Sequence, residues 1–106
     1  MNAPTVAVLT TARVRLFADP LRLRIVQLLA AEELCTCHIV DATGAKQPTV
    51  SHHLRVLREA GVVEAEPSGA YTYYRLRAMT LQQLGAAFTA LAERAADPPR
   101  RRLPCD

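Results

Sequence analysis

The chain has 106 residues, half of them hydrophobic, a net charge of +3 and three cysteines. This length is too short for two domains but sufficient for one small domain with a core, which often gains stability by dimerising. The start of the chain has no signal-peptide pattern, and no apolar run approaches the roughly 20 residues that span a bilayer. We therefore expect a cytoplasmic protein without a membrane partner. In that compartment, three cysteines favour metal binding or thiol chemistry over a disulfide framework.

The first part of the chain is predicted to form three helices. Apolar residues recur at helical spacing over residues 5–18, which predicts a first helix there. Asp19 followed by Pro20 marks the N-cap and the first residue of a second helix, which we expect to end near Ala31. A third helix of about eight residues follows within 34–43, and Gly44 ends it.

Residues 44–61 predict the helix around which the domain is organised. Gln47 is the expected N-cap, Pro48 the first helical residue, and Gly61 the stop. One face carries an apolar stripe, whereas the other is polar, and residues 44–58 contain three basic residues and no acidic one. Such a helix suits a DNA major groove, although a solvated surface helix is the alternative. The residues expected to contact DNA are Lys46, Gln47, Thr49, Ser51, His52 and Arg55.

After Gly61 the sequence pattern changes to a period of two residues, which is typical of β-strands. This pattern predicts a β-hairpin, with strands at 62–66 and 71–76 around a turn at 67–70. A hairpin directly after two short helices joined by a tight turn is a wing on a helix-turn-helix. The hairpin tip lacks a basic residue, so we expect Arg75 and Arg77 at its base to provide weaker phosphate contacts.

The last helix should run from Thr80, as its cap, to about residue 96. Its apolar face has no partner within so small a domain, so we expect dimerisation through the terminal helices. Residues 1–96 would thus form one domain, and residues 97–106 a flexible Pro/Arg-rich tail that carries Cys105.

Four segments of the sequence resemble the ArsR/SmtB family of metal-responsive winged-helix repressors, along roughly residues 10–95. The segments are ADPLRLRI at 18–25, ELCTC at 33–37, QPTVSHHLRVLREAGV at 47–62 and YYRL at 73–76. The resemblance implies a mainly α fold with a β-hairpin wing, a winged helix-turn-helix. It also implies a homodimer that binds a double-stranded palindromic operator and releases it when an ion binds.

The Leu34-Cys35-x-Cys37 pattern looks like the thiolate site of the family's arsenic and cadmium/lead sensors. Two features depart from those patterns, because Val40 stands where a third cysteine often lies and no cysteine precedes Cys35. A family zinc site on the last helix is rejected, since residues 80–96 contain no histidine and only one carboxylate, Glu93.

Cys35 and Cys37 are about 200° apart on an ideal helix, so they can share an ion only at the first turn. There the helix dipole favours the thiolate form, which binds metal. As(III) or Sb(III) prefers three sulfurs, and Cys105 could supply the third because its tail reaches up to about 28 Å. Alternatively, Cys35 and Cys37 are small buried hydrophobic residues, and Cys105 has no role in ion binding. His38 is either a ligand for zinc or cadmium or an ordinary exposed residue.

These residues predict a transcriptional repressor released by a thiophilic ion, As(III) or Sb(III), with Cys35, Cys37 and Cys105 as ligands. The alternatives are a Cd(II)-, Pb(II)- or Zn(II)-responsive repressor, or a repressor that senses oxidation through its thiols. The sequence shows no nucleophile–base pair and no phosphate-binding loop, so we do not expect an enzyme.

Overall fold

The computed structural model describes residues 8–98 and 100–105. It confirms the predicted fold class, a mainly helical winged helix-turn-helix with an antiparallel hairpin. The helices are α1 (Thr11–Arg15), α2 (Pro20–Ala31), α3 (Thr36–Thr43), α4 (Gln47–Glu59) and α5 (Ala78–Ala96). The strands are β1 (Leu34–Cys35), β2 (Val63–Ser68) and β3 (Tyr71–Leu76).

Local capping chemistry explains two of the boundaries that were predicted well. The Asp19 carboxylate accepts a hydrogen bond from the Arg22 backbone N–H at 3.0 Å, so α2 begins at Pro20 as expected. Gly44 ends α3 with a φ of 72°, a conformation that glycine adopts without a steric penalty.

Three helix starts differ from their predictions. The first helix is shorter, because Thr10 caps it by accepting from the Arg13 N–H at 3.2 Å; residues 5–7 lie outside the described part. The N-cap of α4 is Lys46, so Gln47 is the first helical residue and Pro48 the second. Thr80 lies inside the first turn of α5, where its hydroxyl donates to the Gly61 carbonyl at 2.7 Å.

The sheet has three antiparallel strands in the order β1-β3-β2. The predicted hairpin is confirmed, with Val63 opposite Leu76, although β2 extends two residues beyond its predicted end. Strand β1 was not predicted; it pairs Leu34 with Tyr74 and Cys35 with Tyr73. The segment before α3 is therefore hydrogen-bonded to the wing.

The core lies between α2, α3, α4 and the base of the hairpin. Its buried members are Ile25, Val26, Leu29, Leu34, Ile39, Val50, Leu54, Leu57, Val62 and Val63. Burying each large apolar side chain contributes about 1.5–3 kcal/mol, so this cluster fixes α4 against its neighbours. None of the helices in the described ranges is long and apolar enough to cross a membrane.

Helices α1 and α5 are only partly covered. A groove of about 390 Å³ lies between them, lined by Val14, Phe17, Ala18, Leu81, Leu84 and Phe88. Phe88 is 52% exposed and Leu91 45% exposed, which leaves much of the apolar face of α5 in solvent.

Candidate ion-binding and DNA-binding surfaces

Cys35 and Cys37 meet at the start of α3. Cys35 is the N-cap, in extended backbone, and Cys37 lies in the first helical turn, so their Sγ atoms approach to 2.7 Å. Cys35 is buried, whereas Cys37 is exposed, so the pair can be reached from one side. This is the arrangement that lets two residues at this spacing share one ion.

His38 completes a cluster with the two thiols. Its Nδ1 atom lies 3.2 Å from the Cys35 Sγ atom and accepts a hydrogen bond from the Cys35 N–H at 3.1 Å. Potential ligand atoms of the two cysteines and this histidine lie within 4.8 Å of one another. Two sulfurs and one imidazole nitrogen suit soft and borderline ions rather than hard ones such as Mg²⁺.

The two thiols have opposite pKa shifts. Burial raises the pKa of Cys35, but hydrogen bonds from the Cys37 side chain and from nearby backbone amides outweigh it and place the pKa below its usual value. The pKa of Cys37 is raised, chiefly because its thiol is hydrogen-bonded to Cys35. Cys35 is therefore the first of the two thiols to lose its proton as the pH rises, and the thiolate is the form that binds metal.

A cleft of about 290 Å³ opens beside the thiols. It is lined by Cys35, Thr36, Cys37, Gln47, Ala70, Tyr71, Thr72 and Tyr74. These residues come from the start of α3, the first turn of α4 and the hairpin. A group bound in the cleft would thus contact both DNA-binding elements of a winged helix-turn-helix.

Cys105 lies apart from this cluster. In the described residues, the cluster contains Cys35, Cys37 and His38, while Cys105 is exposed in the segment after α5. The predicted role of Cys105 as a third ligand therefore requires the tail to move, and it stays a prediction. The predicted alternative ligand, His38, lies beside the pair.

The predicted DNA-contacting residues share the outer face of α4 and its start. Ser51 is partly exposed, whereas the other five are exposed: Lys46, Gln47, Thr49, His52 and Arg55. The opposite face is fixed by Val50, Leu54 and Leu57, which have no solvent exposure. A rigid helix thus presents short polar side chains together with cations.

His53 differs from its neighbour His52 because it is buried, with 9% exposure. Its Nε2 atom lies 3.7 Å from the Asp19 Oδ1 atom, and within the described chain its Nδ1 atom has no hydrogen-bond partner. Burial lowers the pKa of His53, and attraction to Asp19 only partly opposes that shift. His53 is therefore a packing residue, not a DNA-contacting one.

Arg75 has several acidic partners on the protein itself. Its guanidinium donates to Glu64 at 2.7 Å and to Glu66 at 2.6 Å, and it lies 3.8 Å from Glu33. These carboxylates neutralise the cation on the wing, so Arg75 is poorly placed to contact phosphate. Arg75 was predicted to contact phosphate, and its carboxylate partners were not predicted.

Known bacterial regulatory proteins resemble this chain in sequence. Residues 19–65 match the profile of the family described as "Bacterial regulatory protein, arsR family". The arsenic resistance transcriptional regulator ArsR1 of Pseudomonas putida is 38% identical over 77 residues, 72% of this chain and 60% of that protein. The cadmium resistance regulatory protein CadC of Listeria innocua is 37% identical over 78 residues, 70% of this chain and 66% of that protein. The chain thus spans about two thirds or less of the length of these relatives.

A solved structure extends the comparison to the fold. It is the homodimeric winged helix-turn-helix DNA-binding domain of a possible ArsR-family transcriptional regulator from Mycobacterium bovis, determined by solution NMR. It aligns with a TM-score of 0.63 and 29% identity over 93% of this chain and 88% of that one.

Proposed function

The chain belongs to the arsR family of bacterial regulatory proteins, and on this basis we propose that it is a transcriptional repressor that leaves its operator when a thiophilic ion binds Cys35 and Cys37. In the proposed mode of action, a homodimer in the cytoplasm places two copies of α4 in successive major grooves of a palindromic operator. A palindrome fits because a two-fold dimer repeats its contacts about one DNA turn apart.

The proposed DNA contacts are divided by chemistry. Ser51 and His52 would reach base edges, whereas Lys46 and Arg55 would neutralise phosphates. The lack of acidic residues across 44–58 supports this assignment, because a carboxylate on this face would repel the DNA.

The observation that carries the ion-binding proposal is the 2.7 Å approach of the Cys35 and Cys37 sulfurs at the first turn of α3. As(III) and Sb(III) are soft ions that bind thiolates strongly, and the lowered pKa of Cys35 favours the thiolate form. Cys105 is the proposed third sulfur.

Sheet pairing suggests how ion binding would alter DNA binding. Cys35 is paired with Tyr73 of the wing, and Gln47 at the start of α4 lines the cleft beside the thiols. An ion bound by both sulfurs would reposition them and would thereby shift both elements. A coupling of about 1–3 kcal/mol between the sites is enough to change DNA affinity 5–150-fold.

A response to Cd(II), Pb(II) or Zn(II) is the second candidate. The position of His38 favours it, because its nitrogen lies in the same 4.8 Å cluster as the two sulfurs and these ions accept imidazole ligands. The relative CadC is named for cadmium resistance. The two candidates differ in whether a nitrogen joins the ion.

A release assay with reduced protein tests the proposal. An operator fragment, selected in vitro on the purified protein, is titrated with arsenite, antimonite and Cd(II), Pb(II) or Zn(II) salts. Cys35→Ser and Cys37→Ser should each bind the operator as the wild type does but should no longer be released by arsenite. If either variant is released at the wild-type arsenite concentration, the proposed ion site is wrong.

Cys105→Ser tests the proposed third ligand. We expect it to require about tenfold more arsenite, because a tethered thiol offers a high effective concentration but must lose backbone entropy on binding. X-ray absorption should show three sulfurs around arsenic in the wild type and two in this variant. An unchanged sulfur count and an unchanged release curve would exclude the tail cysteine.

A further inference from the structure

The excess positive charge of the chain is concentrated in three consecutive arginines of the tail. The sequence has 13 basic and 10 acidic residues. Without Arg100, Arg101 and Arg102, the remaining 10 basic residues equal the 10 acidic residues, so the rest of the chain has no net charge. The acidic residues of the tail, Asp97 and Asp106, are each at least three positions away from the arginines. This is the longest uninterrupted run of basic residues in the sequence.

The three arginines are accessible to a partner outside the chain. All three are exposed, and they lie in a segment without helix or strand. None of the ion pairs within the described residues involves them. Leu103, which follows them, is 85% exposed, so the segment is not packed against the domain at this position. Folding of the domain therefore leaves this charge unused.

The wing, in contrast, has no unpaired cation between Val63 and Leu76. The hairpin has two acidic residues and one basic residue, Arg75. The Arg75 guanidinium donates to Glu64 at 2.7 Å and to Glu66 at 2.6 Å. Because affinity for DNA increases with the number of phosphates that a protein neutralises, a domain with such a wing gains most from cations placed elsewhere.

The tail leaves α5 in an extended conformation. Asp97, at the end of the helix, has a φ of −70° and a ψ of 126°, and Pro98 cannot continue the helical hydrogen bonds. The extended chain from Asp97 to Arg102 spans about 20 Å, and the shortest dimension of the described chain is 21 Å. The arginines can therefore reach across the protein from the end of α5.

We propose that Arg100, Arg101 and Arg102 form an arm that contacts the phosphate backbone of DNA; the inference rests on the proposed DNA binding by the repressor and adds a contact outside α4. The arm recognises its partner by charge, because each guanidinium stays protonated and can pair with phosphate oxygens through two parallel N–H donors. Phosphate contacts carry no direct information on base sequence. The arm therefore strengthens binding to operator and unrelated DNA alike, whereas α4 selects the sequence.

Salt titration of DNA binding by the full chain tests the arm. The triple change Arg100→Gln/Arg101→Gln/Arg102→Gln removes three cations per protomer. The slope of log affinity against log salt concentration should fall by about 2–3 per protomer, since each phosphate contact contributes about 0.9. At physiological ionic strength, operator and unrelated DNA should both bind about tenfold or more weakly. The ratio of the two affinities should stay at the wild-type value.

Two further variants separate local contact from overall charge. The corresponding triple change to lysine keeps three cations and should keep the wild-type slope. The triple change Arg13→Gln/Arg24→Gln/Arg94→Gln removes the same charge from exposed positions on α1, α2 and α5, and it should also keep the slope. Circular dichroism verifies that each variant is folded. An equal loss of slope in this control and in the glutamine variant of the arm would indicate an effect of net charge and would overturn the proposal.

A photo-crosslinking amino acid in place of Leu103 tests whether the arm lies against DNA. The exposed position next to the arginines should crosslink to operator DNA in the complex. The same crosslinker in the glutamine variant of the arm is the matched control, and at saturating protein its yield should fall because α4 still holds the DNA but the arm does not. Equal yields in the two proteins, or no crosslink in either, would contradict the proposed contact.

The outcomes also separate this inference from the proposed function. If the glutamine variant keeps the wild-type affinity and slope and an ion still releases the operator, the arm is wrong and the repressor proposal stands. A rise in DNA affinity in that variant would show that carboxylates of the protein hold the tail, and it would also overturn the arm. If the wild type prefers no operator sequence but the arginines set the salt slope on unrelated DNA, the repressor proposal fails and the arm stands.

Discussion

His53 is a titratable side chain on the buried face of α4, beside Leu54 and Leu57. Three groups surround it: the Asp19 carboxylate attracts its charged form, whereas Arg22 and His52 disfavour that form. Burial has the largest effect and places the pKa of His53 below its usual value. Folding therefore favours the neutral form of this histidine on the buried face of α4.

The stability of the domain should consequently fall in mildly acidic solution. The unfolded chain binds a proton at His53 near its ordinary pKa of about 6.5, before the folded chain does, so protonation favours unfolding. The unfolding free energy should decrease as the pH drops from 7.5 to 5.5, by about 1.4 kcal/mol at most for each unit between the two pKa values. Asp19 does not act in this window, because its lowered pKa affects stability only below about pH 4.

Urea unfolding at both pH values measures this dependence. His53→Gln should lose most of the difference between pH 5.5 and 7.5, whereas His52→Gln, at the exposed neighbouring position, should keep it. A His53→Gln variant with the wild-type pH dependence would contradict the assignment.

At the scale of the element, α4 has one buried face and one exposed polar face, and the exposed face is the one proposed to contact DNA. Val50, Leu54 and Leu57 fix one face, so changes on the other face should affect DNA binding without unfolding the domain. The double change Ser51→Ala/His52→Ala should reduce operator affinity and discrimination between sequences, since each lost base contact costs about 1–3 kcal/mol. Arg55→Ala should weaken binding to every sequence and reduce the salt slope by about 1 per protomer.

Fluorescence anisotropy with operator and unrelated DNA, over a series of salt concentrations, distinguishes the two effects. Glu59→Gln, on an exposed site at the end of α4, is a control that should leave sequence discrimination intact. If Ser51→Ala/His52→Ala binds the operator as tightly as the wild type, α4 is not the reading helix.

Structural features set by neighbouring residues were predicted correctly, whereas features set by residues distant in sequence were missed. Asp19 and Gly44 were placed correctly because a cap and a left-handed residue act within one turn of the chain. Strand β1 was missed because its two residues have no period of their own and are defined by pairing with Tyr73 and Tyr74.

The same limit applies to the site. The meeting of Cys35 and Cys37 at the first turn of α3 was predictable from their spacing and from the start of the helix. The cleft that joins them to Gln47 and Tyr71 depends on tertiary packing. The carboxylates near Arg75 depend on the register of the hairpin, which places Glu64 opposite Arg75. Contacts between residues far apart in sequence produce no local sequence pattern, so the cleft could not be predicted.

At the scale of the whole molecule, the groove between α1 and α5 is an unfilled apolar feature. It measures about 390 Å³ and is bordered by Phe88, which is 52% exposed. A chain of this size buries a modest fraction of its surface alone, so covering this groove with a second copy would add stability. The solved M. bovis domain, which shares this fold, is homodimeric.

Phe88→Asp should therefore shift the protein from dimer to monomer, because a carboxylate placed in a dry apolar interface loses its hydration without gaining a partner. Light scattering after size exclusion gives the mass, and Leu103→Asp, at an 85% exposed tail position, should remain dimeric.

Binding of Phe88→Asp to a full palindrome should weaken by about 10²-fold or more, because the second half-site no longer benefits from tethering. Binding to a single half-site should be unchanged, because Phe88 borders the groove and is not among the core residues that pack against α4. A Phe88→Asp protein that stays dimeric and binds the palindrome normally would show that the two copies associate elsewhere.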